Sequence, residues 1–153
     1  MDIDHIAIAV ENLESSIRWY TEGLGFAFIE QRTTTGERTG MRSAVLVNGT
    51  ATVVLIQGTS PESQVSRFIQ HFGPGVQHVA FAVADLDATV RKIRQCGGNA
   101  DTSLIEGKGI RQVFLRRDPG SGVRVELIER RGGSFSDETV SELFRQFEAR
   151  DLY

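Results

Sequence analysis

A single cysteine, Cys96, stands among the 153 residues of the chain. It leaves no intrachain disulfide, no CxxC redox pair and no thiolate cage for zinc, so Cys96 reads as a small helix-end residue in a reducing compartment. No apolar run approaches the roughly 20 residues that span a bilayer, and the N-terminus has neither the basic start nor the apolar stretch of a secretion signal. The expected location is the cytoplasm, with no membrane partner. A net charge of -3, with both signs interspersed, offers no basic stripe to neutralise phosphates, and this argues against nucleic acid as a partner. Hydrophobic residues make up 40% and charged residues 24%, the balance of an ordinary folded domain and not of a disordered chain.

What the chain does have is an internal repeat. The segment Asp4 to Arg18, DHIAIAVENLESSIR, realigns with Gln77 to Arg91, QHVAFAVADLDATVR, at an offset of 73, with six identities in fifteen positions. Such self-similarity points to a duplication. Each copy opens with alternating apolar residues, Ile6, Ile8 and Val10, then Val79, Phe81 and Val83, the period of a half-buried strand. A helix follows in both. The first starts near Asn12, a good N-cap, and places Leu13, Ile17, Tyr20 and Leu24 on one face; Asp85 starts the second, with Leu86, Val90 and Ile93. Glycines at 23, 25, 97 and 98 stop them.

Further strands are expected over Phe26 to Gln31, Ser43 to Val47, Thr52 to Gln57, Gln112 to Arg116 and Val123 to Ile128, with turns at Asn48-Gly49 and Asp118-Pro119-Gly120. The expected fold is α+β. Two paired βαβββ modules, about 1–59 and 75–130, form one curved mixed sheet around a metal cleft. A connecting helix lies within about 60–74, and an amphipathic helix over about 136–149, carrying Val140, Leu143, Phe144 and Phe147, covers the opening as a lid. The whole of 1–153 is read as a single domain.

Two of the three histidines, His5 and His78, hold the same position in the two repeats. Equivalent strands of paired modules face each other across a pseudo-twofold axis, so these imidazoles meet, and paired imidazoles suggest a metal. The run VRVELIER sets Glu126 among apolar neighbours, where a carboxylate needs a partner. The equivalent first-module residue, 72 positions earlier, is Val54, which cannot ligate a metal. Two histidines and one carboxylate leave open positions on an octahedral ion, the ligand set of non-haem Fe(II) oxygenases. His71 lies outside the symmetry and reads as solvated.

The paired modules and ligand placement resemble the vicinal oxygen chelate superfamily, which includes glyoxalases, bleomycin-resistance proteins and dioxygenases. Within it, GMRSAVLV, SQVSRFIQHFGPGVQHVAF, RQVF, VELIERRGG and SFSDETVSELFRQFEARD are similar to the catalytic domain of 4-hydroxyphenylpyruvate dioxygenase and hydroxymandelate synthase. The resemblance implies Fe(II) on His5, His78 and Glu126, with Co, Ni, Mn or Zn as substitutes in isolated protein. It also implies Ser43, Gln64, Gln77 and Gln112 as polar residues near substrate, Phe114 on the pocket wall, and Phe135 and Phe144 as aromatic residues of the lid. Two departures bear on the substrate: Val140 stands where the family has an aromatic residue over the substrate ring, and Gly58 lies near the place of a family asparagine.

A metal site of net charge about +1 favours an anionic chelator, and the resemblance implies a 2-oxo acid and O2 as partners in an oxidative decarboxylation and hydroxylation. The alternative within the superfamily is a metal-dependent epimerase or lyase of the methylmalonyl-CoA epimerase or glyoxalase type. A bleomycin-resistance-type binding protein is a third reading, against which the three retained ligands argue. A homodimer is the expected assembly.

Overall fold

The computed structural model describes residues 1–133 and 136–153. Eight strands form one mixed, curled sheet. The first module supplies Asp2–Ala9 (β1), Ala27–Thr35 (β2), Gly40–Asn48 (β3) and Ala51–Gly58 (β4). The second supplies Gly75–Ala82 (β5), Ile105–Gly107 (β6), Ile110–Phe114 (β7) and Arg124–Arg130 (β8). Their spatial order is β2-β3-β4-β1-β5-β8-β7-β6, so the modules join where β1 runs antiparallel to β5. Within each module the first strand pairs in parallel with the last, β1 with β4 and β5 with β8.

The parallel pairings require a crossover, and a helix makes it in each module. Leu13–Arg18 (α1) begins at Asn12, whose side chain accepts from the Ser15 amide at 2.8 Å. Leu86–Gln95 (α3) begins at the equivalent Asp85, which accepts from the Ala88 amide at 2.8 Å. Both helices pack on the sheet face that carries the alternating apolar residues of the repeat, Ile8 and Val10 under α1 and Phe81 and Val83 under α3. Leu13 is buried there with Leu46 and Leu55, and Leu86 with Val113 and Leu127. Because the alternating strands turn the other side chains the opposite way, the second face of the sheet is left for the site.

Two helices close that second face. Gln64–Phe72 (α2) buries Val65 and Phe68 against Ala7, Ala9 and Ile56. Asp137–Arg150 (α4) reaches both edge strands, β2 and β6, and so straddles the cleft. Ser136 caps it, and Thr139 completes a reciprocal capping box.

Three details differ from the sequence reading. After Arg18 the chain passes into a π-helical turn, Trp19–Gly23, which widens the helix and rotates the residues beyond it. Leu24 is therefore 46% exposed and does not share the buried face of Leu13. The three-residue strand β6 was not expected, being too short to show alternation. Strands β2 and β3 extend further, to Thr35 and from Gly40, and form a longer hairpin whose tip meets α4. At Asn48-Gly49 the expected turn is present, with Gly49 at φ 58. Among the described residues no helix is long and apolar enough to cross a membrane.

Candidate metal centre

The register of the central strands brings the ligands together. Across the β1–β5 seam His5 pairs with Ala80 and Ala7 with His78, a reciprocal arrangement that places the pseudo-twofold axis between them. Across β5–β8, Ala80 pairs with Glu126. His5, Ala80 and Glu126 thus lie in one row over three strands, and the methyl of Ala80 leaves space between the two longer side chains. In the first module the matching row runs from His78 through Ala7 to Val54.

At both histidines the ladder skips one residue. Ile3 pairs with Phe81 and His5 with Ala80, so Asp4 is the extra residue of a β-bulge; Ala7 pairs with His78 and Ile8 with Val76, so Gln77 is the extra residue of a second. A bulge lets two consecutive side chains turn toward the same face. Each bulged residue accordingly meets the histidine that follows it: Asp4 Oδ1 lies 2.9 Å from His5 Nδ1, and Gln77 Oε1 is hydrogen-bonded to His78 Nδ1. With the ring proton on Nδ1 in both contacts, each Nε2 turns its acceptor lone pair toward the cleft.

Those lone pairs point at each other and at a carboxylate oxygen. His5 Nε2 and His78 Nε2 are 3.3 Å apart, and Glu126 Oε2 lies 3.4 Å from the first and 3.3 Å from the second. Three acceptors facing inward at this spacing repel one another unless a cation or proton lies among them. Three ligands about 2.0 to 2.2 Å from one ion have mutual separations of this size. The second oxygen of Glu126, Oε1, is buried with no hydrogen-bond partner. The donor set therefore fits a divalent metal ion, and all three residues are buried.

Electrostatics agree with that fit. Burial pushes the Glu126 carboxyl up to about 7, with His5 and Arg130 opposing the shift and Asp4 adding to it. A carboxylate this costly to bury alone is one that a cation would stabilise. Burial, reinforced by the positive charges of Arg124 and Arg117, holds His78 down to about 3, so its imidazole is neutral and ready to ligate. Burial would raise Asp4, but hydrogen bonds from Arg130 and His5 outweigh it and keep its carboxyl well below the ordinary range. Arg130 grips Asp4 with two hydrogen bonds, Nε to Oδ2 at 2.6 Å and an Nη to Oδ1 at 2.8 Å.

A cavity of about 110 Å³ opens over the triad. Of the residues expected near a substrate, Ser43, Gln64, Gln77, Phe114, Val140 and Phe144 line it. Gln112 is fully buried in β7 and does not reach the cavity wall. Phe135 lies outside the described residues. His71 is exposed, as expected, and its ring packs on Tyr153 with centroids 4.5 Å apart. Sequence reasoning missed Asp4 and Arg130 behind His5, although the polar residue before each histidine, in DHIAIAV and QHVAFAV, was a visible signal. It also missed Glu148, a buried carboxylate on α4. Glu148 accepts from the amides of Glu37 and Thr39 at 2.9 Å each and from the Thr39 hydroxyl at 2.7 Å, which fastens the lid to the β2–β3 hairpin.

Comparison with known proteins agrees with this architecture. Over 100 residues the chain is 34% identical to 4-hydroxyphenylpyruvate dioxygenase of Hordeum vulgare, a match that covers 60% of this chain and 23% of that one. The crystal structure of methylmalonyl-CoA epimerase from Mycobacterium tuberculosis superposes with a TM-score of 0.71 at 30% identity, covering 84% of this chain and 87% of the other. A variant of 4-hydroxymandelate synthase from Streptomyces coelicolor gives a TM-score of 0.85 at 22% identity over 97% of this chain and 54% of its own, a likeness of fold. Residues 2–127 match the Glyoxalase/Bleomycin resistance protein/Dioxygenase superfamily, and the chain belongs to that family.

Proposed function

We propose that the protein is an Fe(II)-dependent dioxygenase acting on a 2-oxo acid. The observation that carries the reading is the valine at the register position equivalent to Glu126: with Val54 there, the site has three protein ligands and keeps positions open for a bidentate substrate and O2. The similarity to barley 4-hydroxyphenylpyruvate dioxygenase supports the same chemistry.

His5, His78 and Glu126 would hold the iron. When bound, it would supply the activation of O2 for oxidative decarboxylation, in which CO2 leaves, one oxygen atom enters the new carboxylate and the other hydroxylates a C–H bond. The chain's own part is orientation and exclusion. Asp4 and Gln77 fix the ring orientation of the two histidines, and Ser43 and Gln64 offer polar contacts on the cavity wall. Helix α4, fastened by Glu148, limits access of water to the cleft.

The cavity walls bear on the substrate. Val54, Ile56, Val65, Val140 and Leu143 make part of them aliphatic, and Phe114, Phe144 and Phe147 add aromatic surface. The aromatic residues Phe114 and Phe147 are engaged edge to face with each other, centroids 5.1 Å apart, and Phe114 likewise with His78 at 5.0 Å. Among the described residues neither of these contacts is a parallel pair of rings, and the aliphatic part of the wall favours a short branched 2-oxo acid.

A second reading, a metal-dependent epimerase acting on an acyl thioester, is favoured by the similarity to methylmalonyl-CoA epimerase along most of both chains. One experiment separates the two. Anaerobic protein loaded with Fe(II) is given aliphatic and aryl 2-oxo acids, and O2 uptake and CO2 release are measured after admission of air. Stoichiometric uptake and release is the expected result. Absence of uptake with every oxo acid, together with exchange of the α-proton of an acyl-CoA in D2O by the Co(II) or Mn(II) form, would establish the epimerase instead.

A further inference from the structure

The two bulges are equivalent in position and unequal in charge. Behind His5 stands a carboxylate, Asp4, only about 10% exposed and gripped by Arg130; behind His78 stands a neutral amide, Gln77, 5% exposed. The inequality extends one residue further. Counting back 72 positions, as from Glu126 to Val54, the first-module equivalent of Arg130 is Gly58. A Cβ on Gly58 would come within 2.2 Å of Ser66 Oγ and 2.9 Å of the Ser63 side chain, so a side chain there would have to displace both serines to mirror the arginine. The pair Asp4–Arg130 exists on one side of the pseudo-twofold only.

We infer that Asp4, held by Arg130, and Gln77 are positioning residues that make the two histidines unequal ligands, with His5 the strong, anchoring donor and His78 the weaker one. A carboxylate that accepts the Nδ1 proton draws it partway off the ring and raises the electron density at Nε2; a neutral amide carbonyl orients the ring equally well with far less of that effect. Arg130 holds Asp4 by two hydrogen bonds, so the carboxylate stays against His5 and does not itself turn toward the ion. The geometry thus assigns affinity to one half of the duplicated sheet and leaves the His78 side the more labile.

The test transposes the carboxylate across the axis. Metal affinity is measured by competition with a chromophoric chelator on Co(II)-loaded protein, alongside the Co(II) ligand-field absorption and the thermal midpoint of the metal-free protein. Asp4→Asn keeps shape and acceptor but removes the charge, and it is expected to weaken Co(II) binding by about 10- to 100-fold. Gln77→Glu, which places a carboxylate against His78 Nδ1 as Asp4 stands against His5, is expected to tighten binding. The double variant should recover most of the loss, with a ligand-field spectrum that differs from wild type. The inference is overturned if Asp4→Asn and Gln77→Glu both leave affinity and spectrum within twofold of wild type. It is also overturned if Gln77→Glu fails to recover any affinity lost by Asp4→Asn while the metal-free midpoints match.

Discussion

Val54 occupies in the first module the register position that Glu126 occupies in the second: Val54 pairs with Ala7 and Glu126 with Ala80, while each alanine in turn pairs with the histidine of the other module. One half of the duplicated sheet carries a carboxylate and the other presents an isopropyl group to the same cleft. The number of protein ligands, and with it the number of positions left for substrate, turns on that single difference.

Restoring the symmetry should therefore change the chemistry in a defined direction. Val54→Glu places a fourth donor in the row of His78 and Ala7. It is expected to raise affinity for Zn(II) or Co(II) by at least tenfold in chelator competition and to suppress oxo-acid-dependent O2 uptake. Unchanged affinity would place the Val54 side chain out of reach of the ion.

Glu126 and His78 give opposite pH signatures in metal-free protein. Burial raises Glu126 to about 7, above its unfolded value of 4.5, so the native state holds a proton that the unfolded state releases. Stability from this group is fully present below pH 4.5 and is lost as pH rises through 7, by about 3 kcal/mol at most. His78 is lowered from 6.5 to about 3, so its contribution is present above 6.5 and is lost as pH falls toward 3. Thermal unfolding of the metal-free Glu126→Gln variant should lack the loss between pH 4.5 and 7 while keeping the acid limb. Since an ion must displace the Glu126 proton, metal affinity of the wild type should fall as pH drops below 7.

The lid makes a separate prediction. Glu148 is held below the ordinary carboxylate range: burial pushes it up, and hydrogen bonds from Thr39 and the amides of the hairpin tip more than offset that. Gly36 lies so close that a Cβ there would approach Glu148 Oε1 and Phe144 Cδ1 to 2.6 Å. Glu148→Gln and Gly36→Ala are both expected to loosen α4. The readout is amide hydrogen exchange: faster exchange across Asp137–Arg150, with β1 and β5 protected as before.

The aliphatic part of the cavity wall, Val54, Ile56, Val65, Val140 and Leu143, predicts selectivity for a branched aliphatic acid. Perturbation of the Co(II) absorption should therefore require at least tenfold less 4-methyl-2-oxopentanoate than phenylpyruvate. Val54→Ala, by widening the wall beside Ala7, should narrow that gap. Equal response to both acids in the wild type would show that the cavity widens on binding.

The duplication made much of this legible in the sequence. His5 and His78 are equivalent residues of one repeat, and Glu126 is a carboxylate among apolar neighbours, so periodicity and symmetry together pick out the candidate ligands from the sequence. The paired caps Asn12 and Asp85 were readable for the same reason. What remained hidden depends on partners distant in sequence. That Asp4 and Gln77 are bulged is a property of the β1–β5 register, in which each strand defines the irregularity of the other. Arg130 meets Asp4 only because β8 and β1 flank β5. The π-helical turn at Trp19–Gly23 and the three-residue β6 carry no periodic signal of their own.

We propose that His5, His78 and Glu126 form one three-ligand metal centre. Its most direct test is a crystal structure of the Co(II)- or Fe(II)-loaded protein with anomalous diffraction at the metal edge. One ion per chain is predicted, about 2.0 to 2.3 Å from both Nε2 atoms and a Glu126 oxygen, with its remaining positions held by water or an added oxo acid. An ion bound elsewhere, or a fourth protein side chain in its coordination shell, would contradict the account.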